Sequence, residues 1–423
     1  MLVSFIIASH NRREVVLNTL QQLRTTARPS RPFEAIVVDN ASVDATPDAI
    51  RRAFPEVILV PLRRNLGSCA KAYGADRAHG EYIVFLDDDS HPTPGSVDRM
   101  IGHLRADPDL GAAGFRVVLP DGREECSALP NVFIGCGVGF RAAALREVGG
   151  LDLTLFMAAE EYDLSFRLIN AGWGVRTFDD ICVNHLKTPC ARRHARPVYY
   201  DTRNNILVAA RYLPDACYPA IRRDWSRRYA WMAASEHRIA AHCRASLVGR
   251  ILARRDRPHF AARRLSPVAL ETLFRFRWIE ERLQVLHETG VRRIVFADLG
   301  KNILAFHRAA NAAGVRVVTI ADDRFAAPGR GYRGIPIRPV ADALALEADA
   351  VVVSNTSPVH ARLTRDALAT RTTRPVYAWF ASAPILRPAC HGHARVAVPP
   401  PAPPSPQQPA TCQLSAPRPS AAF

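Results

Sequence analysis

The sequence predicts an α/β protein with two folded halves, a helical segment between them and a Pro-rich tail. Three observations carry this. Short apolar runs alternate with helix-length amphipathic stretches up to about residue 185. The same alternation restarts at Val291. The residues between, about 190–285, have helical patterning and few strand signals.

In the first half, Leu2–Ala8, Ala35–Val38, Val57–Val60 and Tyr82–Leu86 are short, apolar strands of the kind buried on both faces of a mostly parallel sheet. Glu14–Arg24 and Ser68–His79 are expected as helices between them. Ligands of such sheets sit at the carboxyl ends of the strands. Polar clusters follow three of the four strands: Ser9-His10-Asn11-Arg12, Asp39-Asn40-Ala41-Ser42 and Asp87-Asp88-Asp89. These are expected to converge on one crevice. In the second half, Arg293–Ala297, Val315–Ile320 and Ala350–Val353 read as strands and Lys301–Ala313 as a helix. The expected divisions are 1–205, 206–285, 286–385 and a disordered Pro/Ala-rich tail at 386–423, whose composition cannot bury a core.

The chain has 423 residues, 48% of them apolar, which suits a globular protein with more than one core. No apolar run reaches the roughly 20 residues of a membrane span. The N-terminus lacks the basic lead and cleavage site of a signal peptide. Nine scattered cysteines without a Cys-x-x-Cys pair fit reduced thiols, and a cytoplasmic location is expected. The net charge of +16 is concentrated. Between Ile221 and Arg264, twelve arginines face only Asp224, Glu236 and Asp256. Trp225, Tyr229, Met232, Ile239, Cys243 and Leu247 lie near helical spacing in this stretch. Two roles fit: a basic helix on an anionic membrane surface, or an Arg-rich solvated helix. No nucleic-acid module is visible, and no nucleic-acid partner is expected.

The strongest chemical signal is Phe85-Leu86-Asp87-Asp88-Asp89. Three carboxylates closing an apolar strand repel one another unless a cation compensates, and hard oxygen ligands suit Mg²⁺ or Mn²⁺ bridging to diphosphate oxygens. A solvated loop after an edge strand is the plain alternative. Val37-Val38-Asp39 closes an earlier strand, where Asp39 is suited to a base or ribose edge and Asp44 to capping the next helix. Asn65-Leu66-Gly67, Lys71, Gly74 and Gly80-Glu81-Tyr82 follow, then Gly149-Gly150-Leu151-Asp152 and Glu160-Glu161-Tyr162-Asp163-Leu164.

In their order and spacing, these motifs over about residues 1–205 resemble the family 2 glycosyltransferases of the GT-A fold. The resemblance implies a hexosyltransferase-like enzyme that takes a nucleotide-diphospho-sugar donor and a glycan, lipid-linked or protein acceptor, as in polysaccharide biosynthesis. It implies nucleotide contacts from Ser9, Asp39, Lys71, Asp87 and Asp88. Asp89, with Asp87 and His185, is expected at the Mn²⁺ or Mg²⁺, Asp89 as the direct ligand. A loop histidine without a ligand role is the alternative for His185. Glu161 matches the catalytic base, in a motif usually written Glu-Asp, and helix N-terminal preference is its alternative. One base and one metal-bound leaving group imply inversion. Tyr199–Asn205 resembles the segment after the transferase core, and either lines the acceptor side or packs a helix.

A second hypothesis is a nucleotide-sugar-binding scaffold without catalysis. A processive synthase is disfavoured, since no Gln-x-x-Arg-Trp motif occurs. Residues 286–385 look Rossmann-like, but the first turn, Ala297-Asp298-Leu299-Gly300-Lys301-Asn302, has only one of three fingerprint glycines. A structural or regulatory role is expected there, not dinucleotide binding.

Overall fold

The structure is a computed structural model that describes residues 2–187 and 196–381. The expectation for the tail at 386–423 lies outside the described residues.

The strands of the first domain are β1 (Val3–Ser9), β2 (Phe33–Asp39), β3 (Ile58–Pro61), β4 (Tyr82–Asp87), β5 (Ser90–Pro92), β6 (Leu110–Val118), β7 (Glu124–Glu125), β8 (Gly137–Arg141) and β9 (Gly174–His185). Their order is β3-β2-β1-β4-β8-β6-β9-β5, with β7 on β6. The four expected strands form the parallel half, and their carboxyl ends carry the three polar clusters side by side. The other half is mixed, because β8 runs antiparallel to both β4 and β6. Gly139 permits this insertion: a Cβ there would stand 1.8 Å from Met100 Sδ of the covering helix Ser96–Ala106.

The expected helix Ser68–His79 is broken into a 3₁₀ turn, Gly67–Ala70, and a short helix, Lys71–Ala75. Close packing explains the truncation. A Cβ on Gly74 would come 2.5 Å from Ile6 Cγ2 of β1, and the chain must return at once so that Glu81 N–H reaches Leu2 C=O.

The middle segment contains helices Arg196–Tyr212, Tyr218–Ser235, Ile239–His259, Pro267–Phe274 and Phe276–Glu288. The basic stretch is therefore two helices, separated at His237 (φ 56°). The apolar positions divide accordingly. Trp225 is buried in the first domain's core, and Met232 packs against the second domain's core. Ile239 and Leu247 remain exposed.

The second domain adds β10 (Arg293–Ala297), β11 (Arg316–Ala321), β12 (Gly331–Tyr332), β13 (Ile335–Arg338), β14 (Ala350–Val353) and β15 (Val376–Tyr377) in the order β12-β13-β11-β10-β14-β15. All pairs are parallel except β12–β13. Its carboxyl edge faces the first domain: Thr356 Oγ1 donates to Ala128 C=O at 2.8 Å, and Trp225 Nε1 to Lys301 C=O at 3.1 Å. No helix among the described residues is long and apolar enough to cross a membrane.

Candidate functional site

The carboxylates after β4 are already partly neutralised by the protein. Arg12 spans two of them, with Nη1 2.6 Å from Asp88 and Nη2 2.8 Å from Asp89. Lys71, almost fully buried, donates to Asp87 Oδ1 at 2.6 Å and to Gly135 C=O at 2.9 Å. Ser9 Oγ donates to Asp88 Oδ2 at 2.8 Å. Burial pushes Asp88 up to about 7, against the pull of Arg12 and Ser9. Burial also acts on Asp89, but hydrogen bonds from His185 and Arg12 outweigh it and hold Asp89 well below the usual range. The repulsion read from the sequence is real, and Arg12, left without a role there, answers part of it.

His185 is the last residue of β9 and is buried among acids. Its Nε2 is 3.4 Å from Asp89 Oδ1 and its Nδ1 2.7 Å from Glu125 Oε2. Burial lowers its pKa, yet the bonds to Asp89, Cys136 and Glu125 prevail and push it up to about 12. These partners favour positive charge at His185, carried by a proton where no cation is bound. Asp87, Cys136 and His185 each offer a ligand atom within 4.8 Å of the others. These residues fit a metal, and Asp89 lies beside them, its oxygens paired with Arg12 and His185. Cys136 was not singled out from the sequence, because 48 intervening residues separate it from His185 and only the antiparallel placement of β8 beside β4 brings it here.

Asp39 ends β2 and is 3% exposed. Its Oδ2 accepts from Ser42 N–H at 3.2 Å, while its buried Oδ1 has no partner. A buried charged acceptor left open is costly, and it suits a ligand's N–H or hydroxyl. Asp44 does hold the next helix: its Oδ1 accepts from Thr46 N–H at 3.2 Å.

Glu161 lies in the first turn of the helix Glu160–Asn170. Phe156, Ala158 and Ala159, just before it, all have φ between 63° and 66°, a region unfavourable to residues with a Cβ. Asn204 compensates, its Nδ2 lying 2.7–2.8 Å from the carbonyls of Leu155, Met157 and Ala158. Asn204 therefore holds this loop. Gly67 closes the loop's other side, φ +67°, where a Cβ would stand 2.1 Å from Phe156 O. Burial, then the adjacent Glu160 carboxylate, raises Glu161 well above the usual carboxylate range. Glu160 itself is buried, accepts from Ser68 Oγ and leaves Oε2 without a partner.

The second domain reaches this region through Lys301. Its ammonium donates to Asn205 Oδ1 at 2.6 Å and sits 3.6 Å from the Tyr162 ring centroid and 4.3 Å from that of Trp225. Burial is the main force lowering it to about 7, with Asp201 and Glu161 opposing. Sequence inspection placed Lys301 only at a helix start, since its partners lie 76 to 139 positions away.

Fold and site together define a GT-A type glycosyltransferase domain: a parallel sheet edge carrying an open acidic acceptor, a cation-seeking carboxylate cluster and a buried glutamate. Comparison specifies the family. Residues 4–148 match the model of glycosyl transferase family 2. The chain is similar to N-acetylglucosaminyl-diphospho-decaprenol L-rhamnosyltransferase of Mycobacterium tuberculosis, at 27% identity over 34% of this chain and 63% of that protein. It is 32% identical to succinoglycan biosynthesis protein ExoO of Rhizobium meliloti, over 33% of this chain and 44% of that one. The chain thus spans less than two thirds of the length of these relatives. Among solved structures, S. aureus TarS 1-349 in complex with UDP-GlcNAc aligns with a TM-score of 0.46 at 15% identity, covering 79% of this chain and all of that one. The mannosyltransferase PcManGT from Pyrobaculum calidifontis, in complex with GDP-Man and Mn²⁺, aligns at 0.41 and 18%, covering 57% and 73%.

Proposed function

We propose that this chain transfers a sugar from a nucleotide-diphospho-sugar to an acceptor hydroxyl, with inversion, using Glu161 as the base. The observation that carries the reading is the position of Gly135 between the two working parts. Its carbonyl accepts from Lys71, which holds Asp87, and a Cβ on its other side would lie 3.4 Å from Glu161 Oε1. Gly135 thus lies beside both the base and Lys71, which holds the leaving-group carboxylate.

In this reading Asp39 Oδ1 takes a hydrogen bond from the base or ribose of the donor, and Asp88, fixed by Ser9 and Arg12, shapes the floor beneath the diphosphate. Asp89, with Asp87 and His185, would hold Mn²⁺ or Mg²⁺, Asp89 as the direct ligand. The bound ion would neutralise the nucleoside diphosphate as it leaves. Glu161, ionised, removes the acceptor proton as that oxygen attacks the anomeric carbon. The raised affinity of Glu161 for a proton makes it a stronger base than a solvated glutamate. The relatives' names support a lipid-linked or polysaccharide acceptor. The strand order of the second sheet supports a Rossmann-like domain in a structural role, since its carboxyl edge is covered by the first domain.

The test is calorimetry with UDP, GDP, CDP and dTDP, each with Mn²⁺ and with a chelator, followed by transfer assays of the wild type and Glu161→Gln. Metal-dependent binding of one nucleotide, with transfer lost in Glu161→Gln, is the expected result. Binding without transfer to any acceptor would instead favour a nucleotide-sugar-binding scaffold. No binding would remove the proposal altogether.

A further inference from the structure

Helix Ile239–His259 turns one face inward, burying His242, Ala245, Gly249, Ala253 and Asp256. On the opposite face Ile239, Cys243, Leu247 and Ile251 recur every four residues, an aliphatic stripe along the helix. Leu247 is 63% and Ile251 57% exposed. Between this helix and Tyr218–Ser235 lie two adjoining cavities of about 730 and 680 Å³, and Arg222 and Arg250 line both. Arg223 and Arg227 extend the first and Arg254 the second, and no acidic side chain lines either. Among the described residues no carboxylate forms an ion pair with any of these five arginines. The buried Ser226 hydroxyl, also at the first cavity, has no hydrogen-bond partner.

A basic cavity bordered by exposed aliphatic side chains matches an amphipathic anion: phosphate in the arginine cleft and hydrocarbon along the stripe. We propose that this face docks on an anionic phospholipid bilayer, with lipid phosphates between Arg222 and Arg250 and with Leu247 and Ile251 at the acyl boundary. A free phosphate would leave the stripe unexplained. A nucleic-acid strand calls for aromatic stacking partners, and the exposed stripe has none. A second copy of the chain would oppose arginine to arginine. The face also adjoins the candidate site. Arg244, on the same helix, lies 5.8 Å over the Tyr199 ring, and Tyr200 stacks at 4.8 Å on Phe156 in the loop that leads to Glu161. The proposal stands on this face alone and holds whether or not the transferase reading does.

The test is flotation of the full chain with phosphatidylcholine vesicles, with and without phosphatidylglycerol, at low and high salt. Binding only to the anionic vesicles, weakened by salt, is expected. Arg250→Gln/Arg254→Gln should weaken it on the order of 30-fold, about 5-fold per arginine. Leu247→Glu/Ile251→Glu should weaken it by at least about 10-fold. Unchanged circular dichroism and Tm establish that each variant is folded. Should the double glutamate variant unfold, Leu247→Ser, at a side chain 63% exposed, replaces it. The proposal is overturned if the wild type fails to float at low salt, or if stripe variants float as well as wild type. It is equally overturned if the chain binds a mixed-sequence RNA and no vesicle.

Discussion

Replacing Lys301 by methionine removes a buried charge while keeping most of the side chain's length. Relative to its ordinary 10.5, the fall to about 7 corresponds to roughly 5 kcal/mol against the charged form. The ring faces of Tyr162 and Trp225 offset part of this, each by up to about 2 kcal/mol when desolvated. A net of about 1–3 kcal/mol remains. The sign follows from proton linkage. Between the lowered folded value and 10.5 the unfolded chain holds this proton and the folded chain does not, so the wild type gains stability as pH rises through that window. Lys301→Met has no such gain. Tm of both proteins is to be measured from pH 6.5 to 9.5, and the difference, wild type minus variant, should climb by several degrees. Subtraction removes the tyrosines and other groups common to both. A difference that stays flat, or falls, with pH would refute the claim that Lys301 is a desolvated amine. Because Lys301 also holds Asn205 and the ring beside Glu161, transfer by the variant should fall even where it is fully folded.

Other perturbations have equally definite outcomes. Asp39→Ala should weaken nucleotide binding about 10- to 100-fold by calorimetry, the worth of one hydrogen bond to a charged acceptor. Glu161→Gln should lower the transfer rate by on the order of 10²–10⁴ without altering nucleotide affinity. In the wild type the acidic limb of kcat/KM should lie well above the ordinary value of about 4.3 for a glutamate, because burial and Glu160 favour the protonated form; a limb near that value would contradict the assignment. Gly67→Ala, which meets both a positive φ and Phe156 O, should cost more than about 2 kcal/mol by denaturation.

Strand placement was legible because burial on both faces leaves an unbroken apolar run, and β10 and β14 were read with the bounds the structure has. The helix after Gly67 was misread in extent, because its amphipathic pattern continues past the point where Gly74 meets Ile6. Among site residues, Ser9, Asp39 and Asp87–Asp89 could be read because strand ends bring them together by topology. Arg12 stood next to them without any signal of its role.

The sequence by itself determined the alternation that builds two sheets, the polar ends of the first, and the concentration of arginine in the middle segment. Those features are local: each follows from spacing within a few residues. Only the tertiary structure decided that Arg12 and Lys71 share the acidic cluster, that Cys136 and Glu125 surround His185, and that Lys301 from the second domain lies beside Tyr162. It also decided which half of the basic segment buries its apolar face and which leaves it exposed. These pairings join residues 16 to 139 positions apart. They depend on how packed elements meet, and periodicity along the chain carries no information about that.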